Sequence, residues 1–155
     1  MHAGRTGFSI CAIGHYIYVM GGLDQNEDFA LYSTDKYCVL NCKWTKLSCQ
    51  IPIQFGVQMT AVPIKGRYIY TFGGCNEMIT PPKHNIEHFL RLDTVKEKWE
   101  SLRMENPDET NGFMVGAIPL GALDDHMFEF VVFGGVNNGE FNKRTCIFTT
   151  KIDDF

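Results

Sequence analysis

The stretch YIYTFGG at residues 68–74 decides the fold, because nearly the same string occurs two more times. YIYVMGG occupies residues 16–22, and FVVFGG occupies residues 130–135. Each copy is a run rich in β-branched and aromatic residues, which favour strands, and each is closed by two glycines. The chain repeats after 52 residues, from Gly21 to Gly73, and again after 61 residues, from Gly73 to Gly134. Repeat lengths of this size indicate a modular architecture.

Further strand-like segments surround each glycine pair in the same order. A turn and another apolar segment precede the repeated string, at residues 8–13, 59–64 and 113–120. Fifteen residues beyond the first two pairs stand Tyr37 and Phe89, which we expect to open a third strand. A shared W-x-x-L, beginning at Trp44 and Trp99, marks a fourth strand. Each repeat therefore predicts four short strands, named A to D in chain order.

The glycine pairs and the apolar faces together predict a propeller. Strands A and B are apolar on both faces, as expected for a sheet packed between two neighbouring sheets in a propeller. No segment has a convincing helical period. We expect the paired glycines to end strand B through positive φ, a conformation that other residues resist. They are Gly21, Gly22, Gly73, Gly74, Gly134 and Gly135. The predicted fold is an all-β propeller of four-stranded antiparallel blades.

The chain resembles a set of kelch repeats, whose signature is an apolar run, Gly-Gly, a downstream aromatic residue and a closing Trp. The resemblance divides the chain into blade one (8–47), blade two (57–102) and blade three (113–153). Blade two fits best, with Leu92-Asp93 followed by Trp99. In blade one, Asn41 stands where the Asp is expected, and in this alignment the C–D turn is three residues shorter than that of blade two. Blade three has a strand C at 146–152, reaches Asp153 as the equivalent of Asp93, and lacks its strand D and Trp.

Fewer than three full blades cannot close a propeller, which usually has four to eight. An open wedge would expose apolar sheet faces and an unpaired strand edge. We therefore expect the sequence to be a fragment of a larger propeller, or to receive its remaining blades from another chain.

Composition excludes several classes of function. The chain of 155 residues carries 14 basic and 18 acidic residues and has a net charge of −4. Nucleic-acid-binding domains usually have a basic stripe, and none is present. No apolar run reaches the ~18 residues of a membrane-spanning helix, so we expect no membrane insertion. Six scattered cysteines and the lack of an Asn-x-Ser/Thr acceptor favour a reducing, cytoplasmic setting.

Two patterns raise the possibility of a metal site, and both favour another interpretation. HNIEH at 84–88 matches the H-x-x-E-H pattern, but that chemistry requires a helix, and a B–C loop is expected here. Cys38, Cys42 and Cys49 have a loose metal-like spacing, yet a turn intervenes and buried structural thiols are the better prediction. We expect no metal, no cofactor and no catalytic residue. A rival hypothesis is a copper oxidase related to galactose oxidase, although no active-site set can be assembled.

The long connections predict a partner-binding surface. In an antiparallel four-stranded blade the B–C and D–A connections lie at one end, and here they are long and rich in acidic residues and Asn. The candidate contact residues are Asn26, Glu27, Asp28, Asn76, Glu77, Asp108, Glu109, Asn137 and Asn138. Because kelch repeats commonly serve as adaptors or scaffolds, the resemblance implies a non-catalytic protein-interaction module with protein partners. A second possibility is a structural subunit of a large assembly.

Overall fold

The protein is built from antiparallel β-sheets in its computed structural model, which describes residues 1–24, 29–52, 56–76, 83–84, 88–103, 115–123, 126–137 and 140–151. No helix occurs among these residues, and so none that could cross a bilayer. The all-β prediction is confirmed.

Blade one is a four-stranded sheet whose strands pair in chain order. Its strands are β1 (Ser9–Ile13), β2 (Tyr16–Met20), β3 (Ser33–Cys38) and β4 (Lys43–Gln50). Two-residue and four-residue turns join A to B and C to D, respectively. The longer connection at 21–32 joins B to C at the opposite end of the sheet.

Blade two repeats this arrangement and adds a short extra strand. Its strands are β5 (Val57–Ile64), β6 (Tyr68–Asn76), β7 (Lys83–His84), β8 (His88–Asp93) and β9 (Lys98–Arg103). The order is β5-β6-β8-β9, and β7 pairs with the end of β6. A β-hairpin therefore extends from the B–C end of this blade.

Blade three supplies three strands of the same kind among the described residues. They are β10 (Gly116–Ala122), β11 (Met127–Phe133) and β14 (Thr145–Lys151), in the order β10-β11-β14. The small hairpin β12 (Val136–Asn137) and β13 (Glu140–Phe141) projects between β11 and β14.

Two apolar cores hold the three sheets face to face in chain order. Tyr18 and Met20 of blade one pack with Ile69, Leu92 and Trp99 of blade two. In the second core, aromatic rings of blades two and three meet, with centroids 5.1 Å apart both for Tyr70 and Phe130 and for Phe72 and Phe130. Edge-to-face and tilted ring pairs of this kind stabilise beyond the area they bury. Blade two is thus covered on both faces, as the apolar strands predicted.

The paired glycines all adopt positive φ, between 65° and 98°. In blades one and three they follow the end of strand B, at Met20 and Phe133. In blade two the strand continues through Gly73-Gly74 to Asn76, so the expectation that each pair ends strand B is wrong there. The physical reason is that Cys75, just beyond the glycines, pairs with Val57 of β5 and with His84 of β7, so the strand resumes after the two positive-φ residues.

The strand register corrects the alignment of blade one with blade two. Tyr37 pairs with Trp44, and Leu92 pairs with Trp99, across the respective C–D turns. The counterpart of Tyr37 is therefore Leu92, and Phe89 lies three residues earlier in its strand. The C–D turns are equal in length, and the B–C connection is the one that differs by three residues.

Two further assignments change with this register. Cys38, not Asn41, takes the place of Asp93, because each is the last residue of its strand C. Asp153 lies outside the described residues. The residue of blade three that corresponds to Asp93 is Thr149, which pairs with Glu129 as Asp93 pairs with Tyr68.

Candidate interaction surface

The connections at the B–C end of the blades rest on a rigid backbone platform. In blade one, Leu23 and Thr6 exchange two backbone hydrogen bonds of 2.8 and 3.0 Å, and Leu31 donates to Gly22 at 2.7 Å. Asp24 donates its backbone N–H to Phe29 across the connection at 3.0 Å. These bonds fix the stem from which the first B–C loop leaves the sheet, as function on a rigid support requires.

Glycines let the connections of neighbouring blades touch. The Gly22 N–H donates to the Gly56 carbonyl at 2.8 Å, which links the B–C stem of blade one to the D–A segment that enters blade two. A Cβ on Gly21 would lie 2.0 Å from the same Gly56 oxygen. No side chain fits there, so both this close contact and the φ of 65° require glycine at position 21.

A buried ion pair beneath this platform was not predicted from the sequence. The Arg5 guanidinium binds the Asp35 carboxylate at 2.9 Å and also donates to the backbone carbonyls of Gly21 and Ser33. Asp35 is fully buried and accepts from the His2 backbone N–H as well. Burial lowers the pKa of Arg5, and the attraction of Asp35 opposes this change. The pair ties the segment before β1 to strand C.

Exposed aromatic residues stand on two of the B–C connections. Phe29, on the connection of blade one, is 51% exposed, and Phe141, in β13 of blade three, is 84% exposed. The stem of the second connection is fixed by the Asn142 N–H, which donates to the Gly135 carbonyl at 2.9 Å. Large aromatic residues on a supported surface are typical anchors of protein interfaces. Neither Phe29 nor Phe141 is among the contact residues predicted from the sequence, which are acidic residues and Asn.

Most of the predicted contact residues lie outside the described residues, and their role remains a prediction. These are Asn26, Glu27, Asp28, Glu77, Asp108, Glu109 and Asn138. Asn76 ends β6, and Asn137 ends β12. The backbone therefore brings these two residues to the B–C end of their blades, beside the stems described above.

The predicted signature residues lie in the sheets and their connections. The rings of Tyr37 and Trp44 on blade one are in tilted contact, with their centroids 4.9 Å apart. Trp99 and Phe89 are buried on opposite faces of blade two, in the first and second cores respectively. These residues support the surface and do not form it.

The outward face of blade three is a second apolar surface. Ile118, Phe133 and Ile147 are exposed on this face. The residue of blade two that corresponds to Phe133 is Phe72, and it is buried against blade three. Phe8, just before β1, and Ile10, within β1, are exposed at the other end of the stack. Exposed apolar faces of this kind are typical of interaction sites.

Burial favours the protonated thiol at two of the cysteines. Burial raises the pKa of the Cys11 thiol to about 12, and burial also raises that of Cys49. Cys42 is exposed as the last residue of the C–D turn, and Cys38 and Cys49 are half-buried, which corrects the expectation that all three thiols are buried. A thiolate is the reactive form, so these pKa values oppose nucleophilic chemistry at Cys11 and Cys49.

The described residues contain no group of three or more His, Cys, Asp or Glu placed to hold a metal ion. Of the HNIEH segment, His84 ends β7 and His88 opens β8, and residues 85–87 lie outside the described part. Both histidines are in strands, whereas the metal-binding H-x-x-E-H pattern requires a helix.

Comparison with known families identifies one matching motif. The kelch motif matches residues 4–49, which run from the segment with Arg5 to the end of β4. The comparison with curated proteins gives no match. The match covers blade one, and blade two repeats its strand order, glycine conformations and turn bonds. Residues 4–49 are thus a kelch motif, and the chain forms an incomplete β-propeller of kelch-type blades.

Proposed function

We propose that this chain is a non-catalytic protein-interaction module that binds a partner protein at the B–C end of its blades. The observation that carries the proposal is the pair of exposed aromatic residues, Phe29 and Phe141, on backbone stems that hydrogen bonds hold in place. Rigid aromatic side chains lose little entropy on binding and commonly dominate interface energies.

The acidic residues of the loops add a preference for a basic partner. Glu27, Asp28 and Glu77 follow strand B in blades one and two, and Asp108 and Glu109 precede strand A of blade three. Charges at the rim of an interface mainly steer association and depend on salt. An adaptor or scaffold role is consistent with such a surface, and we propose it with an intracellular location on the basis of the six cysteines.

The exposed faces of blades one and three are proposed to receive further blades, from the same chain or from another one. Phe133 and Ile147 would then become buried as Phe72 is now. Burial of apolar surface of this kind contributes roughly 25 cal/mol per Å². This function in assembly is distinct from partner recognition by the loops.

The proposal is tested by affinity purification of the tagged protein from its own cells, followed by quantitative mass spectrometry. Phe29→Ser/Phe141→Ser should reduce recovery of a specific partner by at least about tenfold, since a single aromatic anchor of about 2 kcal/mol already changes the affinity roughly thirtyfold. Leu123→Ser, an exposed apolar change at the A–B turn of blade three, is the matched control and should leave recovery unchanged. Equal recovery with all three proteins would overturn the proposal.

The rival functions give different results in the same preparation. Stoichiometric copper in the purified full-length protein would support an oxidase, and would contradict a module without catalysis. Migration of the native protein only within one very large complex would instead support a structural subunit.

A further inference from the structure

The C–D turns of blades one and two have the same construction. In both, the first backbone N–H of the turn binds a carbonyl of the neighbouring A–B turn, at 3.0 Å from Val39 to His15 and at 3.1 Å from Thr94 to Arg67. The fourth residue of each turn, Cys42 or Glu97, has positive φ. The two turns are therefore equivalent, residue for residue.

At the second position of each turn stands a highly exposed aliphatic residue. Leu40 is 71% exposed and Val95 is 74% exposed. A single exposed aliphatic side chain is ordinary on a protein surface. The same feature at equivalent positions of two successive blades, where polar turn residues would fold equally well, is a pattern that packing within the chain does not explain.

Basic residues surround these aliphatic tips. Lys43 and Lys98 occupy the same position at the end of the two turns, and both are exposed. The turn segments 39–43, 65–67 and 94–98 together hold five basic residues and one acidic residue, although the whole chain has a net charge of −4. When Asp93, which pairs with Arg67, and Glu100, which pairs with Lys98, are included, the turn end keeps an excess of two basic residues, and the loop sequences at the other end are acidic.

An ion pair shows that the turn end of blade one adjoins that of blade two. The Lys36 ammonium lies 3.4 Å from the Glu97 carboxylate, across the boundary between the blades. Lys98, which follows Glu97 in the chain, lies 3.3 Å from Glu100. The two aliphatic tips thus belong to one continuous surface, which we call the turn surface and define by Leu40, Lys43, Val95 and Lys98.

We propose that the turn surface binds an acidic segment of a partner protein that carries an apolar side chain between its carboxylates. The lysines attract the carboxylates, and the aliphatic tips bury against the apolar side chain. The half-exposed Glu97 and Glu100 favour a protein over an anionic bilayer. A uniformly negative lipid surface repels both glutamates, whereas the discrete carboxylates of a peptide can align with the lysines between them.

The test measures fluorescence anisotropy of a labelled acidic peptide in which leucines are spaced between glutamates. A second peptide has serine in place of every leucine. We expect Leu40→Ser/Val95→Ser to weaken binding of the leucine peptide about tenfold, because two buried aliphatic contacts are lost. Lys43→Gln/Lys98→Gln should weaken binding about fivefold and reduce its salt dependence, since exposed charge pairs contribute modestly and are screened by salt.

The control is Lys46→Gln/Lys143→Gln, which removes the same charge from exposed positions away from the turns, on strand D of blade one and on the B–C connection of blade three. It should leave the affinity for the leucine peptide unchanged, and circular dichroism should show that all variants are folded. Equal affinity for both peptides, or equal losses in the test and control variants, would overturn the proposal. So would binding to phosphatidylserine vesicles without binding to the peptide, which would assign the surface to a membrane.

Discussion

The Ser9 hydroxyl of blade one donates a hydrogen bond to the backbone carbonyl of Met59 in blade two. Met59 directly precedes the residue of blade two that corresponds to Ser9. That counterpart, Thr60, donates in the same way to the Val115 carbonyl of blade three. The strand register shows that Ser9 and Thr60 are equivalent. Ser9 pairs with Met20 and Thr60 pairs with Phe72, and both partners directly precede a glycine pair. One hydroxyl therefore joins each blade to the next along strand A.

The first prediction concerns this hydrogen bond. Ser9→Ala should lower the free energy of unfolding by about 1–3 kcal/mol, because the buried Met59 carbonyl loses its partner between the blades. Urea titration measures the change. Ser48→Ala, at an exposed position on β4, should change the stability by less than about 0.5 kcal/mol. Equal effects of the two substitutions would contradict the assigned role of Ser9.

The second prediction compares two glycines that share a backbone conformation. Gly21 and Gly134 have φ of 65° and 70°, but only Gly21 has a backbone oxygen where a Cβ would lie. Gly134→Ala should lower the free energy of unfolding by about 1 kcal/mol, because alanine is strained at positive φ. Gly21→Ala should cost several times more, because the contact with Gly56 forces the backbone of two blades apart.

Thermal unfolding of both variants separates the two effects. A similar loss of stability in each would show that φ alone matters, and that the contact between the blades at Gly56 is not close.

The third prediction concerns the buried pair of Arg5 and Asp35. Arg5→Met should destabilise the protein by about 3–5 kcal/mol, since Asp35 is left as a buried charge without its guanidinium. The double variant Arg5→Met/Asp35→Leu should recover much of that loss, because it removes both charges. Exposed Arg144→Met is the control for loss of a positive charge. A double variant no more stable than Arg5→Met would contradict this explanation.

The fourth prediction is a pH dependence that arises at Asp93. Burial alone would raise the pKa of this carboxyl, but hydrogen bonds from the Arg67 side chain and from the N–H groups of Lys96 and Val95 outweigh it and lower the pKa to about 2. A depressed folded-state pKa stabilises the protein above the unfolded value near 3.8. The stabilisation, about 2 kcal/mol, is then lost as the pH falls toward 2.

Denaturant titrations across this acidic range give the test. Relative to Asp93→Asn, the natural protein should gain stability between about pH 2 and pH 4 and then keep a constant advantage. A constant difference across the whole range would show that the Asp93 carboxyl is not depressed by Arg67.

The strands and their stacking could be predicted from the sequence because they depend on local signals. The strings around Gly21, Gly73 and Gly134 combine strand preference with glycine, and apolar residues on both strand faces indicate burial between sheets. The prediction that Tyr37 and Phe89 are equivalent was wrong. It was obtained by counting residues from the glycine pairs, and the B–C connections that follow the glycines differ in length. Register in strand C is set by pairing with Trp44 and Trp99, which a count along the chain cannot show.

The interaction surface was predicted only in its location. The direction of the strands places the B–C and D–A connections at one end, and this follows from topology alone. The bonds that hold the stems, such as Gly22 to Gly56, and the pair of Arg5 with Asp35 join residues about thirty positions apart. No local pattern encodes such contacts. Phe29 and Phe141 could have been noticed as aromatic residues in otherwise polar loops.

The central claim is that the sheets are blades stacked face to face in chain order, and coupling between Phe72 and Phe130 tests it most directly. Their rings belong to blades two and three and lie 5.1 Å apart. A double-mutant cycle with Phe72→Leu and Phe130→Leu, measured by urea unfolding, should give a coupling free energy of about 0.5–1.5 kcal/mol. Strictly additive losses would contradict the stacked arrangement.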